Sequence, residues 1–166
     1  MSNPFGHQRT IEAFHNMIHE GKTFACEWED TDSDIAAPTY VLLQTGDVES
    51  HLVVEVACTQ PFTVKVTEDV TVTDTGTNIA IYNMKRECSE TSKNDASHSP
   101  TTSGGTVIST AREYGSGSNP NKRLGGAIRS NSEWILKDSA NYLFTVTPDA
   151  DNSKVYIGLE WYELPE

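Results

Sequence analysis

Alternation of apolar and polar residues with a period of two recurs in short runs along this chain, and it constrains the fold more than any other feature. Residues 23–29 place Phe24, Cys26 and Trp28 on one side of an extended backbone, with Thr23, Ala25, Glu27 and Glu29 on the other. Residues 50–58 align Leu52, Val54, Val56 and Cys58, and residues 62–67 set Phe62, Val64 and Val66 against Thr63, Lys65 and Thr67. The clearest run is 154–162, where Val155, Ile157, Leu159 and Trp161 point inward and Lys154, Tyr156, Glu160 and Tyr162 outward. Further runs cover 39–44, 70–72, 78–84, 106–110, 133–137 and 142–147. Turn signals separate them, notably Thr45-Gly46-Asp47, Asp74-Thr75-Gly76 and Pro148-Asp149-Ala150-Asp151-Asn152. Eight to ten short strands with one buried face predict an all-β chain, an antiparallel β-sandwich of jelly-roll type.

Three stretches break the pattern. Residues 8–19 carry Ile11, Phe14 and Ile18 at helical spacing, which predicts a short N-terminal helix or arm. Residues 87–105 are rich in Ser, Thr, Asn and Asp, and residues 114–132 hold four Gly, four Ser, three Asn and a Pro. Both read as long loops, which in one domain are functional or order on binding. The division is therefore an arm, 1–17, followed by a sandwich domain, 18–166, with loops at 87–105 and 114–132.

The 166 residues suffice for one domain. The net charge is −12, which argues against a nucleic-acid partner. No apolar stretch exceeds four residues, the length of Tyr40-Val41-Leu42-Leu43, which is far too short to span a membrane as a helix, and residues 1–7 show no signal-peptide pattern. Residues 1–75 hold 13 acidic and 3 basic side chains, whereas 76–166 hold 11 and 9. The densest acidic cluster is Glu27, Glu29, Asp30, Asp32 and Asp34. Asp30, Asp32 and Asp34 alternate like the start of a calcium loop, but Ile35 stands where that loop needs glycine and Val41 where it needs glutamate. The basic side chains Lys122, Arg123 and Arg129 fall in the second long loop, with Lys137 beyond it; Arg112 to Lys137 carries five basic and two acidic residues. Such clusters are most often solvated faces, and otherwise dock on a surface of opposite sign.

Motifs for chemistry are sparse. Cys26, Cys58 and Cys88 form no C-x-x-C pair; the first two continue apolar runs as small buried hydrophobes, leaving Cys88 as the accessible thiol. His15 and His19 are four apart, but the internal glutamate of H-E-x-x-H is missing and nothing selects a third ligand among His7, His51 and Glu20. No cofactor or metal is expected. G-x-S-x-G, S-x-x-K in a strand-turn-helix setting, a phosphate loop and the H-x-H of cupins do not occur, and carboxylate pairs among 24 acids arise by chance. Trp28, Trp134, Trp161, Tyr156 and Tyr162 suit core or sheet-face packing, or a sugar-stacking platform.

Six blocks together carry a resemblance: Ile18-His19-Glu20-Gly21-Lys22-Thr23-Phe24, His51-Leu52-Val53-Val54-Glu55-Val56, Asp74-Thr75-Gly76-Thr77, Tyr82-Asn83-Met84-Lys85-Arg86, Glu133-Trp134-Ile135-Leu136-Lys137 and Asn141-Tyr142-Leu143. In this order, over residues 18–163, the chain resembles small head-associated virion proteins of tailed bacteriophages. The resemblance implies a non-enzymatic subunit that decorates or cements the outside of the capsid, made in the host cytoplasm. Its partners would be the major capsid protein and further copies of itself, with no nucleic acid and no membrane. It also implies that residues 18–24 are extended. Lys122, Arg123 and Arg129 are the candidate docking residues. A carbohydrate- or receptor-binding β-sandwich module of a virion is the alternative.

Overall fold

Residues 15–113, 125–127 and 133–164 are described by a computed structural model, in which every apolar alternation of the sequence but one becomes a strand. Over 78–84 only residues 77–78 and 82–83 pair, in different sheets, and Ile79 and Ile81 between them pack on the core without a ladder. The first four strands are β1 (Thr23–Ser33), β2 (Thr39–Gln44), β3 (Glu49–Cys58) and β4 (Phe62–Glu68). Shorter ones follow: β5 (Thr71–Asp74), β6 (Thr77–Asn78), β7 (Tyr82–Asn83), β8 (Asp95–His98) and β9 (Thr101–Ser103). Then come β10 (Thr106–Glu113), β11 (Gly125–Ala127), β12 (Trp134–Leu136), β13 (Asn141–Pro148) and β14 (Ser153–Leu164). The first sheet runs β11–β3–β14–β1–β7, with β12 also paired to β3; the second runs β10–β4–β13–β2–β8–β6; β5 and β9 form a two-stranded third. All pairings are antiparallel, and the protein is an all-β sandwich.

The core lies between the two large sheets. Phe24 and Cys26 of β1, Leu52, Val54 and Val56 of β3, and Val155, Ile157, Leu159 and Trp161 of β14 meet Val41, Leu43, Phe62, Val64, Val66, Tyr142, Phe144 and Val146 of the second sheet. The inward and outward assignments for β14 agree with the alternation. Trp161 is fully buried and lies opposite Phe24 across the β1–β14 ladder, ring centroids 6.2 Å apart. Trp28 and Trp134 pack on the rim of this core.

Burial is not one-sided everywhere. Leu42 and Leu143 point out of the second sheet and are buried under Val70 and the β5 residue Val72, with Tyr40 alongside. This outer cover explains why Tyr40 to Leu43 reads as a continuous apolar run: the strand is buried on both faces.

Three further expectations are corrected. Residues 87–105 are not a single loop, because β8 and β9 lie within them. Their sequences, Asp-Ala-Ser-His and Thr-Thr-Ser, carry almost no apolar alternation, and β8 is held by its ladder to β2. The 114–132 stretch likewise contains β11, whose Gly-Gly-Ala has no side-chain pattern to announce a strand. Residues 18–24 are not extended throughout: helix α1 covers residues 15–20. Gly21 ends it with φ 73°, its N–H donating to Ile18 O (3.0 Å) while Lys22 N–H donates to Met17 O (3.0 Å). That pair of bonds caps the helix through a left-handed residue that glycine adopts without strain. The rest of the arm, residues 1–14, lies outside the described residues.

Candidate functional site

Antiparallel register sets side chains from distant sequence positions in rows across the outer face of the first sheet. Gly158 of β14 lies opposite Glu27 of β1 and opposite Glu55 of β3. The next row holds Tyr82 of β7, Ala25, Glu160 and Val53. Ala25 and Gly158 are small, so a depression of about 250 Å³ opens among larger neighbours, lined also by Tyr156 and Arg86. A β-carbon on Gly158 would come within 2.9 Å of the Tyr156 hydroxyl and 3.2 Å of its ring, so any larger residue there displaces that ring. The missing side chain lets the Tyr156 ring lie along its own strand and donate a hydrogen bond to Glu27 Oε2 (3.1 Å).

Electrostatically the depression is acidic. Burial first, then the bond to Glu27 and the charges of Glu27, Glu55 and Glu160, push the Tyr156 phenol up to about 12, so it is a neutral donor. Glu55 and Glu160 make no hydrogen bond or ion pair among the described residues. Arg86 sets its guanidinium 5.3 Å from the centre of the Tyr82 ring, a cation–π contact, and Tyr82 is 52% exposed.

A second polar group lies further along the same face. The His51 ring stacks on Tyr162 (centroids 4.5 Å), with Nδ1 2.8 Å from the Tyr162 hydroxyl and 3.3 Å from Glu133, and Nε2 3.0 Å from Glu49. Burial, followed by Glu133, raises the Tyr162 phenol. His51 is thus held on the sheet face by these partners. His15 and His19 touch edge to face with their Nε2 atoms 2.9 Å apart, and among the described residues no group of three His, Cys, Asp or Glu side chains could hold a metal.

The acidic cluster singled out in the sequence is divided by the fold. Glu27 enters the depression, whereas Asp30 accepts from Thr39 Oγ1 (2.8 Å) and Asp32 N (3.1 Å). Asp34 accepts from Asn152 N (2.8 Å) and Asp151 from Ile35 N (2.9 Å), a reciprocal clasp between two turns. Trp28 stacks flat on His98 of the other sheet at 3.5 Å, and burial lowers the His98 imidazole against the pull of Asp30.

The candidate docking residues Lys122, Arg123 and Arg129 lie outside the described residues. Their flanking cations are engaged: Arg112 pairs with Asp149, and Lys137 bridges Glu68 (2.6 Å) and Asp69 (2.9 Å). The local excess of positive charge over 112–137 is therefore partly neutralised by acids from elsewhere in the fold. Sequence reasoning missed Tyr82, Arg86 and Gly158. The available signal was Gly158 itself, which interrupts the outward series Tyr156, Glu160, Tyr162 in a strand interior, where glycine weakens a strand and often marks close approach of another group.

One more residue escaped notice. Glu163 continues the inward series of β14 and is 5% exposed. Its carboxylate accepts from Ser92 Oγ (2.6 Å), Lys93 N (3.0 Å) and Trp161 Nε1 (3.1 Å), tying the chain ahead of β8 to the first sheet. Comparison with known protein families and with curated proteins finds no match to this chain.

Proposed function

We propose that this protein is a non-enzymatic structural subunit of a tailed-bacteriophage virion, bound to the outside of the capsid as a decoration or cement protein. The sequence resemblance suggests the role, and one structural observation supports it. Among the described residues β10 is one edge strand of the second sheet and β11 with β12 one edge of the first, at corresponding ends of the strand orders. Large apolar side chains stand exposed on them: Val107 (52%) and Ile108 on β10, and Ile135 (65%) on β12. In the sequence, residues 114–124, with Lys122 and Arg123, lead from β10 to β11, and Arg129 falls between β11 and β12. Edge strands carrying exposed apolar side chains invite a partner, and basic residues in the adjoining sequence suit an acidic capsid face.

The strand order supports a jelly roll as the finer form of the fold. Counting β11 and β12 as one edge strand and numbering the eight principal strands in chain order, the sheets read 6-3-8-1 and 5-4-7-2, the interleaving of two Greek keys. The partners on this reading are the major capsid protein and further copies of the chain, with no nucleic acid and no membrane, and the location is the virion surface after synthesis in the host cytoplasm.

The test uses particles assembled without the protein. The purified chain should sediment with them and add density to the outer capsid surface; a chain left in the supernatant refutes the capsid role. Replacing Lys122, Arg123 and Arg129 with Ser should leave the thermal midpoint nearly unchanged and weaken particle binding, most at low salt, where screening is least. Equal binding across the salt range would move docking away from these three residues.

A further inference from the structure

We propose that the depression on the outer face of the first sheet is a binding site for a neutral pyranose unit of a glycan. This stands on the geometry of β1, β3, β7 and β14 alone and does not rest on the capsid reading.

The chemistry of the lining selects the ligand. Tyr82 is half exposed, and the Tyr156 ring is laid along the sheet over Gly158, so two aromatic surfaces border one cavity. Sugar rings present C–H faces that pack on such surfaces. Glu55 and Glu160 offer carboxylate oxygens with no partner among the described residues, and Arg86 offers guanidinium donors beside them. A hydroxyl both donates and accepts, so a polyhydroxylated ring satisfies both kinds of group at once, through charge-assisted hydrogen bonds.

Charge narrows the class further. Three carboxylates, Glu27, Glu55 and Glu160, face a single guanidinium, which repels uronic and sialic acids. The net charge would draw a cation, but Arg86 already holds the cation position over Tyr82, so a cationic ligand finds no aromatic face there to stack on. Gly158 completes the argument. A larger residue at this position of the central strand would push Tyr156 off the floor and fill the cavity, so the glycine maintains an opening at the expense of strand propensity.

The experiment is a titration of the full chain followed by amide resonances, with maltotriose, cellotriose and N-acetyllactosamine as neutral probes. Glucuronic acid and acetylarginine amide supply the anionic and cationic comparisons. At least one neutral saccharide should shift the Gly158, Ala25 and Glu55 amides saturably, in the millimolar range. Tyr82→Ala should weaken that binding about tenfold or more with an unchanged melting midpoint, since the side chain is exposed. Glu160→Ala should also weaken it, while Tyr40→Phe, on the other sheet, should not. The proposal is overturned if none of the three neutral saccharides saturates the groove resonances, if glucuronic acid or acetylarginine amide binds as tightly as the best of them, or if Tyr82→Ala binds like the parent. Capsid binding is read separately by sedimentation, so the two proposals fail independently.

Discussion

Replacing Glu163 with Ala removes an acceptor from three donors and leaves them in unequal circumstances. The indole N–H belongs to Trp161, a side chain with no exposure, so its lost bond is replaced by nothing. An unsatisfied buried donor costs about 1–3 kcal/mol. Ser92 Oγ and Lys93 N lie nearer solvent, and water can take over part of their bonding, at about 1 kcal/mol each. Against this stands relief of the carboxylate's own desolvation. The expected net loss is about 3 kcal/mol, read as a lower urea midpoint with an unchanged slope, or a fall in melting midpoint of roughly 6–12 °C. Glu163→Gln keeps one acceptor oxygen but turns amide donors toward the Lys93 N–H, so about 1 kcal/mol of loss is expected there. Hydrogen exchange supplies the local readout: the Lys93 and Asn94 amides should exchange faster in Glu163→Ala, while those of β13 change only with global stability. A loss under about 1 kcal/mol with unaltered exchange at Lys93 would show that the carboxylate does not hold this segment to the sheet.

Trp161→Ala should cost roughly 3–5 kcal/mol and Tyr162→Ala much less, because one residue is in the core and the other on the outer face; equal losses in urea titrations would mean a shifted register. Stability should fall as pH rises from about 9, where the unfolded chain's thiols and then its phenols begin to ionise. In the folded chain burial pushes Cys26, Tyr142 and Tyr156 up to about 12, so over this window the unfolded state gives up protons that the native state keeps. The contribution is complete below the unfolded values and lost as pH climbs through the folded ones; a urea midpoint that is flat or rising from about pH 9 to 12 contradicts the assignment.

How much of this was legible depended on whether side chains or backbone specified the element. β2 begins and ends where the sequence places it because Tyr40 to Leu43 is a continuous apolar run closed by a turn signal, and β14 has the expected inward face because four alternating apolar side chains carry the signal. β8, β9 and β11 were invisible because they are three or four residues long and polar or glycine-rich, recruited by ladders to strands already in place. The Gly21 cap on α1 was a local signal overridden by the extended block that the resemblance suggested. The depression could not be read from any one segment. Glu27, Glu55 and Gly158 share a row only because β14 is inserted between β1 and β3, and single-chain alternation does not say which strands become neighbours. Glu163 was hidden for a different reason: its parity is inward, but a carboxylate at the end of an apolar series reads as solvent-facing unless its donors from residues 92 and 93 are known.

The placement of β14 between β1 and β3 also governs how this chain must be made. Phe24 waits for Trp161, and Leu52 does too, since both are partnered by the last of the described strands. During synthesis β1 and β3 emerge early with their β14-facing edges unpaired, and no local hairpin can satisfy them, because β2 and β4 belong to the opposite sheet. Closing such long loops before any pairing rewards them makes folding slow relative to chains with local contacts. Nascent chains therefore carry open, aggregation-prone edges until β14 arrives. Ribosome-bound chains arrested before residue 153 should lack the first sheet, and yield of folded protein should depend on temperature and expression rate more than its final stability alone would suggest.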